Sequence, residues 1–344
     1  MNPLASSLRA GMSARRAALI WLLLAAGALA VFVAALALGS VTVSPGRVLG
    51  ALVHVGAGQD DVGGAIVRSL RLPRALAGFA CGALLALAGA LLQVLLRNPL
   101  AEPYVLGVSG GAAAFAVLAL VAGCAWWLVD VASFAGALVS IALVLCLARR
   151  ELWRGQAQEA SPRLLLTGVV VATGWGAVIT LLLATSPDER LRGILFWLTG
   201  DLNGATRPWL ALATLVVALA VTVPIAPQLN ALVRGEGLAQ ALGVPAAQLR
   251  LRLFVVASLA AAASVTTAGT IGFVGLVVPH ALRLAFGNDQ RMLVPAAALA
   301  GGAAVMGADL IARTVLAPAQ LPVGVVTALI GVPAFLWMLL GSRR

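Results

Sequence analysis

Apolar runs of about 20 residues recur along this chain, the length an α-helix needs to cross a bilayer core, and its few charges sit between them. Hydrophobic residues make up 62% of the 344 and charged residues 10%, with a mean hydropathy of +1.04. A soluble domain is roughly 45–50% apolar and about 25% charged. No soluble fold of this size covers so much apolar surface with so few charges. The chain reads as an integral membrane protein, and disorder, collagen and a disulfide-built secreted scaffold are excluded. A transmembrane barrel would alternate apolar and polar residues. These runs are continuous and rich in Ala and Leu, so the class is all-α, with about ten spans in a single transmembrane domain over 1–344.

The first run, 17–39, follows Arg9, Arg15 and Arg16. It exceeds the roughly 7–15-residue core of a signal peptide and reads as a span. The others are 72–96, 104–122, 128–148, 164–184, 208–226, 251–267, 274–286, 293–316 and 322–340. Between them lie a polar, glycine-rich connection at 41–71 with His54, Asp60 and Asp61, and a segment at 186–207 with a short amphipathic helix. Ser186 is the expected N-cap of that helix, with Asp188 and Glu189 in its first turn, where the helix dipole favours acids. The longest polar segment on the N-terminal side is 228–250. With both termini cytoplasmic, fifteen of the 23 arginines fall inside. Arg47, Arg68, Arg71, Arg74, Arg190, Arg192, Arg207 and Arg313 fall outside, a bias that agrees with the positive-inside rule.

All 23 basic residues are arginine. A P-loop needs a lysine for the β- and γ-phosphates and a Schiff base needs a lysine amine, so the chain has neither. Its net charge of +11 is read as arginine at helix ends rather than as a nucleic-acid surface. Cys81, Cys124 and Cys146 lack metal-ligand spacing and read as small buried residues.

Four clusters stand out. Arg71-Leu72-Pro73-Arg74 opens the second span at its outer mouth, either as a plain helix start with Pro73 in the first turn or as a fork for carboxylates of an acidic partner. Asp309 and Arg313 stand four apart on one face of the ninth span, where pairing lowers the cost of both charges. The segment 236–242 reads as a short amphipathic helix stopped by Gly243 and Pro245, lying on the membrane or seated in a groove of a cytoplasmic partner. The run 97–111, with Asn98, Pro99, Glu102 and Pro103, makes a sharp inner re-entry, and Gly269, Gly272 and Gly275 before Pro279 and His280 make a similar connection outside. Both read as scaffold, and a lone His280 reads as structural.

Over nearly the whole chain these stretches resemble the permease subunits of ABC importers for iron chelates and cobalamin. The resemblance rests on RLPRALAG at 71–78, RNPLAEP at 97–103, LGVSGGA at 106–112 and FWLTGDLNGA at 196–205. It continues through ALGVPAAQLR at 241–250, IGFVGLVVPHALRL at 271–284, ADLIAR at 308–313 and LPVGVVTALIGVPAFLW at 321–337. Three positions depart from the family pattern: Tyr104, Gln320 and the pair Gly237-Leu238.

The resemblance implies a cobalamin-permease-like fold in a bacterial inner membrane and a homodimer with its pathway on the two-fold axis. It also implies two identical cytoplasmic ATPase subunits, which use ATP and Mg, and a periplasmic or lipid-anchored binding protein. By the same likeness Arg71, Arg74 and Arg313 dock the binding protein. Glu236, Ala239, Leu242 and Gly243 belong to the coupling segment at 228–250, and Asp188, Arg192 and Trp197 to an outer gate. Asn98, Pro99, Glu102, Pro103, Pro279 and Asp309 are structural. The chain itself binds no cofactor and no metal, and it is not an enzyme. The expected cargo is an iron chelate (ferric siderophore or haem), with cobalamin on the same machinery as the alternative. An ion-coupled carrier is the reading from another class, disfavoured by the scarcity of intramembrane carboxylates.

Overall fold

The computed structural model describes residues 14–39, 42–53, 62–149, 160–205 and 207–341. Arg9, His54, Asp60, Asp61, Arg150, Arg154, Arg343 and Arg344 lie outside the described residues.

The described chain is helical throughout: α1 (Ala14–Ala37), α2 (Pro45–Val53), α3 (Val62–Ile66), α4 (Leu72–Leu95), α5 (Val108–Val121), α6 (Trp126–Leu147), α7 (Ala160–Ala184), α8 (Asp188–Leu198), α9 (Trp209–Thr222), α10 (Ala226–Arg234), α11 (Glu236–Ala241), α12 (Ala246–Ala268), α13 (Val274–Phe286), α14 (Gln290–Thr314) and α15 (Val323–Gly341). Seven helical stretches are long and apolar enough to cross a membrane. To these add the bent pair α9–α10 and the shorter apolar helices α5 and α13, and the expected total of about ten is reached.

Three local expectations are corrected. Pro73 does not begin a helix, because α3 runs into α4 through a π-helical turn at Val67–Arg71. Proline offers no N–H to the turn before it, and a widened turn absorbs that loss. The connection at 41–71 is largely helical, with Val48, Ala51 and Val67 buried against Ala35, Leu36 and Ala75. The sixth span does not run straight into a polar loop: α9 and α10 meet at 65°. Pro224 and Pro227 flank the break, each removing a helix donor.

The core is built around α4, whose apolar window is 89% buried, against 17% for α1 and α7 and 28% for α15. Small residues let its neighbours approach at backbone distance. A Cβ on Gly82 would sit 2.1 Å from the Gly301 carbonyl oxygen of α14. One on Gly89 would sit 1.8 Å from the Gly275 carbonyl oxygen of α13. Pro279, inside α13, cannot donate to the Gly275 carbonyl four residues back, so that carbonyl is left to face α4. The alanine run Ala260–Ala263 of α12 packs fully buried in the same core.

Candidate functional site

At one end of the bundle the C-termini of α1 and α14 meet the start of α4 and the turn at 201–205. Asp309 holds the centre. Its carboxylate takes a fork from Arg74, with Nε at 3.0 and 3.1 Å from the two oxygens and a terminal nitrogen at 2.8 Å. The same guanidinium donates to Gln320 Oε1 at 2.9 Å and to Asn203 Oδ1 at 3.5 Å. Arg313 Nε lies 3.6 Å from the other side of Asp309, and another of its nitrogens donates to the Ala35 carbonyl. Arg71 donates to the carbonyls of Leu36 and Ala37 at 2.8 and 2.9 Å, closing the C-terminus of α1. A cation there is favoured by the helix dipole.

Arg71, Arg74 and Arg313 line one cleft of about 250 Å³ together with Leu202, Asn203 and Gln320. Arg74 and Arg313 pair with Asp309, Arg71 stands in the same wall, and Asp201 is close enough to feel Arg74, so three guanidiniums against two carboxyls leave the cleft a positive surplus. Arg71 and Arg313 are only 6% and 7% exposed, so the surplus is presented from within the wall rather than on long, solvated side chains. Burial pushes the Asp201 carboxyl above its ordinary range, against the opposing pull of the Asn203 N–H and Arg74.

At the other end lies the segment 226–250. Glu236 opens α11 but points inward, where its carboxylate pairs with Arg250 at 2.8 Å. Ala239, one turn on, is fully buried. Leu238 and Leu242 are 44% and 65% exposed, and Gly243 ends the helix with φ +76, a conformation open to glycine at no steric cost. The outer face of this turn is therefore apolar and unoccupied by the chain's other described residues. Asn230 of α10 ties the segment to the start of α14, donating to Asp289 Oδ1 and accepting from the Gln290 N–H, both at 2.8 Å.

Helix α8 carries the three expected gate residues. Asp188 and Arg192 are exposed and Trp197 is half-buried against the core. The guanidinium of Arg192 stands 5.9 Å from the ring centre of Phe196. Ser186 is not the N-cap of α8: its hydroxyl donates back to the Leu182 carbonyl, and Pro187 takes the cap position. Arg190 reaches the last carbonyls of α5, Leu120 and Val121.

The two glycine-rich connections, expected on opposite faces, meet. The Phe273 N–H donates to Glu102 Oε1 and the Ile271 N–H to the Tyr104 hydroxyl, both at 2.9 Å. Gln93 donates to the carbonyls of Ala101 and Leu276. The helices that follow, α5 with 14 residues and α13 with 13, are about 20 Å long at 1.5 Å per residue, short of a hydrocarbon core of about 30 Å. At least one connection is therefore re-entrant. Such backbone is tolerated at membrane depth only where protein satisfies its polar groups, which Glu102, Tyr104 and Gln93 do. Asn98 shapes the entry by accepting from the Leu100 N–H, and Pro103 packs on Gly275. No cluster of metal-ligating side chains occurs among the described residues.

The model of the FecCD transport family matches residues 4–341. The chain belongs to the FecCD transport family. Among its FecCD relatives, the vitamin B12 import system permease protein BtuC of Citrobacter koseri is 42% identical over 283 residues, covering 81% of this chain and 84% of that one. The cobalamin import system permease protein BtuC of Halobacterium salinarum is 43% identical over 287 residues, covering 82% and 75%. The fold is similar to that of a putative metal-chelate type ABC transporter in an inward-facing conformation, with a TM-score of 0.82, 28% identity, and 94% and 99% of the two chains covered. The FecCD chain is thus a multi-span permease of the ABC importer class, which removes the ion-coupled carrier.

Several partnerships in the FecCD chain escaped sequence reasoning. Glu236 was expected in the coupling segment, but its ion pair with Arg250, 14 positions on, was not; only the turn between α11 and α12 makes them neighbours. Tyr104 stood out as a departure from the family pattern, but the N–H it satisfies lies 167 positions away. Gln93 is the one amide side chain within the span at 72–96, which was a signal.

Proposed function

We propose that this chain forms the membrane pathway of a binding-protein-dependent importer of cobalamin or a closely related corrinoid. The observation that carries the reading is the pair of relatives named for vitamin B12 and cobalamin import, 42–43% identical over four-fifths of the chain. The iron-chelate reading, ferric siderophore or haem, rests on the breadth of the resembling family and on the metal-chelate type neighbour; no residue in the chain favours it.

In this reading two copies enclose the pathway, and the poorly buried α7 and α15 supply the faces they share. A periplasmic or lipid-anchored binding protein sets carboxylates over the cleft of Arg71, Arg74 and Arg313, and its affinity falls with salt because the contact is electrostatic. Two ATPase subunits receive the turn with Leu238 and Leu242 in a groove, and ATP with Mg is spent there rather than on this chain. Helix α8, with Asp188, Arg192 and Trp197, moves in the outer gate as access alternates. Both termini lie in the cytoplasm.

The test is transport into proteoliposomes carrying this permease with the ATPase and binding protein encoded beside it, loaded with ATP. Uptake of cobalamin in preference to ferric siderophore and haem is expected. Preferential uptake of a ferric chelate would replace cobalamin with the iron reading, and uptake without ATP would remove both.

A further inference from the structure

One polar contact in the cleft of Arg71, Arg74 and Arg313 is made without charge. Gln320 stands in the turn between α14 and α15. The Leu321 N–H donates to the Ala312 carbonyl at 3.0 Å, which ties that turn back onto α14. Gln320 is thereby held half-buried in the cleft wall, and its Oε1 accepts from a terminal nitrogen of Arg74 at 2.9 Å.

The chemistry of the neighbour fixes how this amide is turned. A guanidinium has donors and no acceptor, so the glutamine must give it the oxygen. The NH2 then points elsewhere, and it has no partner among the described residues. Asn203 presents its Oδ1 to the same guanidinium, at 3.5 Å. The polar side chains lining the cleft are these two amides and the three arginines. With both amide oxygens turned to Arg74, the side-chain groups left for an incoming molecule are N–H donors.

A glutamate at 320 could hold Arg74 equally well, since a carboxylate accepts from a guanidinium. It would also set a third carboxyl beside Asp309 and Asp201 and cancel the surplus of the three cations. The neutral amide keeps Arg74 in place, preserves the surplus and adds a donor where a carboxylate would add only acceptors. The lining therefore suits a carboxylate, which accepts at both oxygens.

We propose that Gln320 is a specificity-determining residue of this cleft, whose amide nitrogen donates to a carboxylate of the docked binding protein. The inference rests on the reading in which that protein docks here. It assigns Gln320 two effects on the partner: a hydrogen bond to its acid, and the absence of a charge that would repel it. Discrimination between partners is a difference of affinities, set by repulsion as well as attraction.

Titration of the binding protein encoded beside the permease against the permease–ATPase complex in nanodiscs, at low and high salt, tests the assignment. Wild-type affinity should fall with salt. Gln320→Glu should bind about tenfold or more weakly at low salt, the scale of one charged hydrogen bond, and its affinity should fall less steeply as salt is added. Gln320→Met, of similar length but with neither donor nor charge, should lie between the two and keep the wild-type salt slope. A role confined to holding Arg74 gives the opposite order, because the glutamate variant keeps that acceptor and the methionine variant loses it. Wild-type affinity and slope in Gln320→Glu would therefore overturn the proposal. Should the glutamate variant fail to elute as a folded species, Gln320→Met decides alone, and binding as tight as wild type overturns it. A wild-type affinity indifferent to salt would remove the docking reading itself, and the role of Gln320 with it.

Discussion

Asp309 holds two arginines, and that makes it the residue whose loss is most legible. Replacing it with alanine leaves Arg74 and Arg313 facing each other in a wall where both are largely buried. Breaking a buried pair by removing one partner costs about 3–5 kcal/mol. We expect Asp309→Ala to lower the thermal midpoint in detergent well beyond what Asp188→Ala does on the exposed start of α8. Asp201 adds a pH term at the same cleft. Its carboxyl is raised by burial from an ordinary value of 3.8, so between that value and the raised one the folded state binds more protons than the unfolded. Stability then falls as pH rises through that window and is regained on acidification. Asp201→Asn keeps the acceptor for the Asn203 N–H and should flatten this part of a stability-against-pH curve. An unchanged slope would remove Asp201 as its origin. At this scale the sequence was informative about residue type and uninformative about partners. RLPR and ADLIAR marked the arginines, but the pairing of Arg74 with Asp309 spans 235 positions, and nothing local encodes it.

Helix α11 separates two tasks across one turn. Its inner side, Glu236 and Ala239, fixes the helix on α12; its outer side, Leu238 and Leu242, is exposed and in the proposed reading meets the ATPase. Glu236→Gln should therefore lower thermal stability by leaving Arg250 short of a counter-charge. Leu242→Asp should leave the unfolding free energy within about 0.5 kcal/mol of wild type, as exposed substitutions do, yet abolish the stimulation of the ATPase expected of the permease. If Leu242→Asp kept full stimulation, this turn would not be the coupling surface. The membrane-crossing elements were readable from apolar run length, and most ends fell within a few residues. The misreadings at this scale share one cause: proline and glycine break a hydrophobic run without ending the buried path. Pro73 sits inside a continuous helical stretch, Pro224 and Pro227 bend one into α9 and α10, and Gly269–Phe273 turns back into the protein. Apolar content alone cannot tell a loop outside the bilayer from one tucked within it.

For the whole molecule, alternation of the spans brings the ends of α1 and α14, the start of α4 and the turn at 201–205 to one cleft. The segment 226–243 lies at the opposite end. That polarity can be read with the chain's own cysteines. Of the three cysteines read from the sequence as buried, only Cys81 is; Cys124 and Cys146 are exposed. Cys124, in the turn between α5 and α6, should react with a membrane-impermeant maleimide on intact spheroplasts. Cys146, in the last turn of α6, should react only after permeabilisation. The reverse pattern would invert the molecule and exchange the docking and coupling ends. Exposed tryptophans at the starts of α6 and α9, Trp126, Trp127 and Trp209, are placed as an aromatic belt at one membrane interface requires, the outer one in the proposed orientation.

The backbone contacts of α4 have a consequence for how this gene tolerates change. Substitution scans usually sort positions by chemistry, with apolar replacements spared and polar ones punished. Gly82 and Gly89 should show no such sorting. Every other amino acid, alanine included, brings a Cβ into a space already filled by a carbonyl oxygen of α14 or α13, and backbone cannot swing aside as a side chain can. At these two codons all missense changes become one class, so a saturation library read by growth on the imported nutrient should return glycine alone.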